Sequence, residues 1–414
     1  MITLEDCLAL DAADQTASLS GQFEPPPPGQ IFLDGNSIGA MPRSVPQRMA
    51  QALHGEWSGL RRQAWHQADW LDAPQRIGAA LAGLLGAPAQ DVIAVDNTSL
   101  NLHKLLAYGL QLAAAEGARN VIVYEADGFP TDAHVVQGIV RHGQGRWLAR
   151  PITHSDDLPA ALQADVAMVL LAHVDYRASA RWDLPATTAA VHAAGARVLW
   201  DLSHSAGVLP IGLAESGADF AVACGYKYLS GGPGAAALAY IRHDLQGRDW
   251  PALPGWLGHA DRMNFRAQYE PAPGPLSLVG GTMPVLQNVA MECAARIWAG
   301  VEPAPLFAKH RSLSETLVNL MAEQCGALGV RLLSPASYAQ RGGHLAFSCP
   351  GGGPTCEALL AAGVVTSFRQ PDVIRFGLAP ATVSHADLWH AVTRLRSILL
   401  NETWRESRFQ EVSV

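Results

Sequence analysis

The stretch GYKYLSGGPG at residues 225–234, together with WDLSHS at residues 200–205, predicts the fold of this chain of 414 residues. Lys227 follows an apolar run at 220–224, which is typical of a buried strand, and precedes a turn rich in glycine. Asp201 ends an earlier apolar run at 197–200. An amine and a carboxylate at the ends of two core strands suit pyridoxal phosphate (PLP), because the amine can bind the cofactor covalently and the carboxylate can keep the pyridine nitrogen protonated.

Each of these two residues also has an ordinary interpretation. A lysine after a strand is usually just solvated, and an aspartate after a strand often caps a helix. Their order along the chain, with Tyr226 and Tyr228 on both sides of the lysine and glycines after it, favours the cofactor site.

Composition argues against several classes of protein. The net charge is −8, from 29 Lys and Arg against 37 Asp and Glu, and no basic stripe of the kind that binds nucleic acid is present in the sequence. Apolar stretches are interrupted well before about 18 residues, so no membrane helix is expected, and the acidic N-terminus does not resemble a signal peptide. The six cysteines and fifteen histidines lack metal-binding spacings, so we expect no metal, mostly buried free thiols and a cytoplasmic protein.

Short β-rich runs alternate with helical segments between about residues 90 and 245. This alternation predicts a mostly parallel sheet with helices on both faces, in which ligands bind at the carboxyl ends of the strands. Asp201 and Lys227 both fall at such ends. The β-rich runs are 92–95, 121–124, 166–171, 198–200, 220–223 and 237–241, and the helical segments include 101–116 and 184–194.

The flanking segments predict the remaining organisation. Residues 1–30 end in four prolines at 25–28, which predict a stiff extended arm. Residues 31–37 are predicted to form a short strand that runs into a turn. We expect an N-terminal arm (1–45) that joins the small domain, a large PLP-binding domain (46–290) and a small α+β C-terminal domain (291–414). Predicted helices outside the alternating region are 44–60, 71–86 and 285–328, the last interrupted near Pro303, and predicted small-domain strands are 330–333, 344–348 and 373–377.

Eight motifs, spread through nearly the whole chain, resemble those of bacterial kynureninase in the same order. That family consists of fold-type I PLP enzymes related to the class V aminotransferases. The Asp and Lys pair is common to the superfamily, whereas FPTD and GWLGH narrow the resemblance to kynureninase. The motifs are FLDGNSIG (32–39), DNTSLN (96–101), FPTD (129–132), HVDYR (173–177), WDLSHSAG (200–207), GYKYL (225–229), GWLGH (255–259) and GTMP (281–284).

This resemblance implies a fold, an activity and a set of partners. The fold is α/β, the fold-type I PLP-dependent transferase fold, with a large domain built on a mostly parallel seven-stranded sheet. The activity is hydrolysis of L-kynurenine to anthranilate and L-alanine, in tryptophan degradation by the kynurenine pathway, with 3-hydroxykynurenine as a poorer substrate. The enzyme would be a homodimer with shared active sites.

The resemblance also implies a role for each cofactor residue. Lys227 would bind the cofactor covalently, Asp201 would pair with the pyridine nitrogen, Phe129 would stack on the ring and Asp132 would lie at its polar edge. Thr282 would reach the phosphate of the neighbouring subunit. Asp132 has the alternative of capping a helix, and Phe129 that of a core aromatic. The other implied cofactor contacts are Thr98 and Ser99, at a helix beginning near residue 100, and Pro130, Thr131, His204, Tyr226 and Trp256.

Substrate contacts follow from the same resemblance. Arg375 would bind the substrate α-carboxylate with its two-pronged guanidinium, with an interdomain salt bridge as the alternative. Ser37, Trp65 and His66 would flank the aryl ketone, or else pack at a dimer interface. Tyr226 would relay a proton to the alanine fragment.

Some positions depart from the family pattern, and two other functions stay open. Ala172 replaces a hydroxyl that can touch the cofactor, Ala178-Ser179-Ala180 replaces a Ser/Thr-Gly pair, and Met283 replaces a second proline.

Another PLP enzyme, such as an aminotransferase or a cysteine desulfurase, is one alternative, and for a desulfurase Cys349 and Cys356 flank a loop-like GGGP. A PLP-binding regulator is the other, but it would need an N-terminal DNA-binding helix-turn-helix, which the acidic, proline-rich start does not suggest.

Overall fold

Thirteen strands form sheets of seven, four and two strands in the computed structural model, which describes residues 2–410. In chain order they are β1 (Ile31–Phe32), β2 (Val92–Val95), β3 (Val121–Glu125), β4 (Leu148–Ile152), β5 (Val166–Ala172), β6 (Arg197–Asp201), β7 (Phe220–Ala223), β8 (Ala237–Ile241), β9 (Arg331–Leu332), β10 (His344–Ser348), β11 (Val364–Val365), β12 (Ser367–Arg369) and β13 (Val373–Gly377).

The seven-stranded sheet has the order β2-β8-β7-β6-β5-β3-β4. Only β8 runs antiparallel to its neighbours, so the predicted mostly parallel sheet is confirmed. Its central strands are apolar along their whole length because helices cover both faces. The carboxyl ends of β3, β5, β6 and β7 therefore meet at one edge of the sheet.

Strand β4 was missed by the sequence patterns. Its sequence, LARPI, is mostly exposed, and Arg150 and Pro151 interrupt the apolar residues. β4 occupies the outer position of the sheet, beside β3 alone. An edge strand tolerates proline because one side of its backbone needs no partner, so it lacks the apolar signature of the central strands.

Within residues 2–410, thirteen α-helices surround the sheets. Helix α5 begins at Thr98, two residues earlier than the sequence suggested, and the predicted helical region at 285–328 divides into two helices. The helices are α1 (Leu4–Ala12), α2 (Val45–Ala50), α3 (Ala64–Gln67), α4 (Ala73–Leu85), α5 (Thr98–Glu116), α6 (Pro130–His142), α7 (Leu158–Ala161), α8 (Leu184–Ala193), α9 (Leu213–Ser216), α10 (Val285–Trp298), α11 (Pro303–Cys325), α12 (Gly352–Ala361) and α13 (His385–Leu400).

The N-terminal segment is not extended throughout. Thr3 and Asp6 form a capping box at the start of helix α1. The prolines at 25–28 predict only an extended arm, so this helix is a difference from the prediction. Asp11, at the end region of α1, accepts hydrogen bonds from the backbone amides of His385 and Ala386 at the start of α13. β1 pairs in parallel with β11, so the N-terminal segment is attached to the C-terminal part of the chain.

Buried apolar side chains form separate cores for the two parts of the molecule. One core combines Leu33 of the N-terminal segment with side chains from Leu313 onwards, around the four-stranded sheet. Met291, Trp298 and Leu306 pack instead with the core of the large sheet. The domain boundaries at 45/46 and 290/291 remain predictions, and these contacts favour a later start for the small core.

Among residues 2–410, no helix is long and apolar enough to cross a membrane. The same residues contain no group of three or more His, Cys, Asp or Glu side chains arranged to hold a metal ion.

Candidate active site

A cavity of about 190 Å³ opens at the carboxyl edge of the seven-stranded sheet. Side chains from the ends of β3, β5, β6 and β7 and from the starts of α5 and α6 line it. Nine of the predicted site residues contribute to this lining: Thr98, Ser99, Phe129, Thr131, Asp132, Asp201, His204, Tyr226 and Lys227.

Lys227 is the only one of the chain's three lysines that lines this cavity. The other two are held elsewhere, Lys104 in an ion pair with Asp96 and Lys309 in one with Asp14. The backbone of the Lys227 segment lies against Gly39, where a Cβ atom would come within 2.3 Å of the Lys227 carbonyl oxygen. The glycine therefore allows the N-terminal segment to pass directly behind the lysine.

The Lys227 amine lies against an imidazole and an aromatic ring. Its Nζ atom is 3.0 Å from His204 Nε2 and 5.9 Å from the centroid of the Phe129 ring. Burial, and then the charge of Lys227, hold the pKa of His204 well below its usual range. His204 is therefore neutral, and its Nε2 can accept a hydrogen bond from the amine.

Asp201 ends β6 and is held by the residue two positions later. Its Oδ1 accepts hydrogen bonds from the Ser203 amide at 2.8 Å and the Ser203 hydroxyl at 2.6 Å. Burial raises the pKa of Asp201, while the Ser203 hydroxyl and Lys227 act in the opposite direction. A cation that entered the cavity beside Asp201 would stabilise its ionised form, as a protonated pyridine nitrogen does.

Two further carboxyl groups face the cavity. Asp132, in the first turn of α6, is buried, and its Oδ1 atom lacks a hydrogen-bond partner among the described residues. Because that oxygen bonds nothing, the capping interpretation of Asp132 does not account for it. Burial, followed by the charges of Asp201 and Glu125, raises the pKa of Asp132 well above its usual value. Glu125 at the end of β3 was not predicted, although it follows an apolar run as Asp201 does.

The far end of the cavity is the N-terminus of helix α5. Asn97 caps this helix by accepting a hydrogen bond from the Leu100 amide at 3.0 Å. Thr98 and Ser99 occupy the first turn, where amide groups precede the intrahelical hydrogen bonds and the helix dipole favours an anion. Among the cavity residues, Thr98 Oγ1 is also 3.1 Å from the Cys224 thiol.

These groups fit PLP. An amine stands ready for covalent attachment, a buried carboxylate lies where a protonated pyridine nitrogen can pair with it, and a helix N-terminus can hold a phosphate. The unpartnered Asp132 Oδ1 is a further acceptor for a polar ring substituent. Phe129, 42% exposed and edge-on to Tyr176 at 5.4 Å, offers a ring face to a flat ligand.

Arg375 and Ser37 meet each other just outside the cavity lining. Arg375 is fully buried, and its guanidinium donates to the Tyr176 carbonyl at 2.6 Å, to Ser367 Oγ at 3.0 and 3.1 Å, and weakly to Ser37 Oγ at 3.5 Å. Burial lowers the pKa of Arg375 to about 10. All these acceptors are neutral. Arg375 therefore does not form the interdomain salt bridge that was the alternative to substrate binding.

Three predicted residues lie away from the cavity of their own chain. Trp256 is 39% exposed beside Phe265, and Thr282 is exposed. Trp65 packs edge-on against Trp70, with ring centroids 5.4 Å apart. Pro130, at the start of α6, lies next to the lining without forming part of it.

Comparison with known proteins agrees with this geometry. A family model described as the kynureninase C-terminal domain matches residues 306–395. The chain is 37% identical over 411 residues to kynureninase from Pseudomonas fluorescens, covering 99% of each protein. It is 38% identical over 410 residues to kynureninase from Burkholderia pseudomallei strain K96243, covering 99% of this chain and 98% of that protein.

Solved structures with the same fold are more distant in sequence. The cysteine desulfurase CsdA from Escherichia coli superposes with a TM-score of 0.76 at 17% identity, covering 94% of this chain and 99% of that one. A cysteine desulfurase from Thermococcus onnurineus NA1 gives 0.72 at 17% identity, covering 90% and 95%. These likenesses establish the fold, and because identity to the kynureninases extends over nearly the full length of both proteins, the chain belongs to the kynureninase family.

Proposed function

We propose that this protein is a PLP-dependent hydrolase that cleaves L-kynurenine to anthranilate and L-alanine, and 3-hydroxykynurenine less well. The observation that carries the proposal is that Lys227, Asp201 and the start of α5 line a single cavity. Kynureninase relatives at 37–38% identity support the substrate. PLP supplies an electron sink for carbanions formed at the substrate amino acid.

The chain's own residues would perform the proton transfers. Lys227 would take the substrate α-proton, and His204 Nε2, 3.0 Å from its Nζ atom, would orient the amine. Asp201, oriented by Ser203, would keep the pyridine nitrogen of the bound cofactor charged. Water would add to the γ-carbonyl, and cleavage of the Cβ–Cγ bond would release anthranilate and leave the electron pair on Cβ of the alanine fragment. Burial raises the pKa of Tyr226, so its hydroxyl keeps its proton and can donate it to the alanine fragment.

Arg375 would bind the substrate α-carboxylate. It is a buried cation whose present acceptors are neutral, and the Tyr176 carbonyl that it contacts belongs to a residue of the cavity lining. A carboxylate in place of that carbonyl would add the opposite charge and could accept two parallel N–H bonds from the guanidinium in a bidentate geometry. Ser37 would lie beside the same substrate end.

A second subunit would complete the site. Trp256 and Thr282 are exposed and outside their own chain's cavity, as residues that serve a partner would be.

A mixing experiment tests whether two subunits share the site. Lys227→Ala and Thr282→Tyr subunits, each expected to be inactive alone, are unfolded together and refolded as one preparation. Recovery of up to about a quarter of wild-type activity supports sharing, since mixed dimers have one intact site of two. No recovery, with mixed dimers present, would contradict it.

The desulfurase alternative does not suit this chain. A persulfide carrier needs an accessible thiolate. Cys349 and Cys356 are buried, at 2% and 9% exposure, and burial raises the pKa of both. All six cysteines are buried free thiols, which is consistent with the cytoplasmic location that we propose.

Anthranilate fluorescence tests the function directly. Purified protein with PLP and kynurenine should release anthranilate and alanine in equal amounts. Protein with bound PLP that produces neither, but releases sulfide from cysteine, would refute the proposal.

A further inference from the structure

Glu125 is a cavity residue for which the proposed mechanism has no role. It ends β3, which is separated from β7 by β5 and β6 in the sheet. Asp201 ends β6, and Lys227 follows β7. Glu125 therefore lies on the opposite side of Asp201 from the lysine, and it is only partly buried because it faces the cavity.

The Glu125 carboxyl group is held in place by two neutral donors. Trp182 Nε1 donates to Oε1 at 2.9 Å, and the Ala172 amide donates to Oε2 at 3.0 Å. Among residues 2–410, no Lys, Arg or His side chain forms an ion pair with it. Ala172 itself pairs with Asp201 across β5 and β6, so these hydrogen bonds fix Glu125 relative to the carboxylate expected at the pyridine nitrogen.

The charges that face Glu125 are mostly negative. Asp201 on β6 and Asp175 in the loop after β5 disfavour its ionised form, and Asp132 on α6 interacts with the same group. His173, beside Ala172, is neutral because burial lowers its pKa to about 3, and Lys227 lies beyond Asp201. Burial first, and then the charges of Asp175 and Asp201, raise the pKa of Glu125 to about 7, against the hydrogen bonds from Trp182 and the Ala172 amide.

We propose that Glu125 is a positioning residue that releases its proton to solvent when the positively charged pyridine ring binds beside Asp201. Cofactor-free protein would hold four carboxyl groups, Glu125, Asp132, Asp175 and Asp201, around one cavity with a single lysine. Asp132 and a fraction of Glu125 therefore retain protons near neutral pH. The arriving cation favours ionised Glu125, and the ionised group in turn stabilises the charged ring. This inference rests on the proposed PLP site.

The test measures protons released as PLP binds the cofactor-free protein. Titration calorimetry in two amine-free buffers of different ionisation enthalpy gives the proton count for wild type and for Glu125→Gln. The difference should be about half a proton per site at pH 7 and about a tenth at pH 8, since a group with a pKa of about 7 is half protonated at pH 7. Lys227, the ring and Asp132 are present in both proteins, so the difference between the two proton counts reports Glu125.

A matched control is Glu215→Gln, which alters an exposed glutamate in α9 and should leave the proton count unchanged. Equal counts for wild type and Glu125→Gln, with PLP bound by both, would overturn the inference while leaving the proposed function intact. Failure of wild type to bind PLP at all would instead refute the proposed function.

A second variant keeps the test decisive if Glu125→Gln does not fold. Trp182→Phe removes one donor to the ionised carboxylate but retains Glu125. Proton release should then shift to higher pH, so that more than a tenth of a proton per site remains at pH 8. An unshifted profile in this variant would contradict the assignment.

Discussion

The inner cavity and the exposed motif residues of this molecule differ in how completely one chain builds them. Asp201, His204 and Lys227 are hydrogen-bonded around one cavity of a single subunit, and the first two are buried. Trp256 and Thr282 belong to motifs of the same family but do not line that cavity and are exposed. The groups that we propose for covalent attachment and charge stabilisation thus all come from one chain. The residues that we propose enclose the ligand would come from a second copy.

Replacing the cavity lysine should cause the largest loss of activity. Lys227→Ala removes both the covalent anchor and the base, so kcat should fall on the order of 10⁴-fold or more. Borohydride reduction followed by peptide mapping checks the anchor. Lys309→Ala, which alters a lysine paired with Asp14, is the control and should keep PLP covalently bound. Reducible cofactor on the Lys227→Ala protein would show that another amine serves.

Neutralising the carboxylate under the ring should have the next largest effect. Asp201→Asn keeps the shape of the side chain, but an amide cannot hold the pyridine nitrogen protonated, so kcat should fall about 10²- to 10³-fold. PLP content, followed by absorbance, should change little. A kcat near that of wild type would mean that a different group protonates the ring.

Arg375, which lies just outside the cavity lining, tests whether that position binds the substrate or the cofactor. Arg375→Lys keeps the charge but loses the bidentate geometry, so KM for kynurenine should rise about 10- to 100-fold with PLP affinity nearly unchanged. Steady-state kinetics and a PLP titration separate the two quantities. A loss of PLP affinity at constant KM would place Arg375 with the cofactor or with interdomain packing.

The smallest expected effect concerns the aryl end of the substrate. We predict a preference for kynurenine over 3-hydroxykynurenine. Trp65, which lies outside its own chain's cavity and would serve the partner's site, is largely apolar, and a ring hydroxyl buried without a partner costs about 1–3 kcal/mol. The ratio of kcat/KM values should be about 5 to 150. His66 is the side chain that could satisfy the hydroxyl, and a ratio of one or less would indicate that it does so.

Sequence patterns predicted the buried elements well and the peripheral ones poorly. The apolar runs became β2, β3 and β5 to β8 within one or two residues at each end, since a strand covered on both faces must be apolar. The edge strand β4 and helix α1 escaped notice. The edge strand β4 needs no buried face. Helix α1 is stabilised by a capping box and by packing against helix α13, nearly 400 residues later.

The sequence by itself determined the chemistry: a lysine and an aspartate after core strands, with motifs that match kynureninase along the whole chain. Tertiary structure decided which other groups share their space. Glu125 reaches the cavity because parallel strands end at one edge of the sheet, and Arg375 approaches it because β13 packs against the loop of Tyr176, 199 residues away in sequence. Such contacts depend on strand order and on the packing of two cores, which no local pattern of residues specifies.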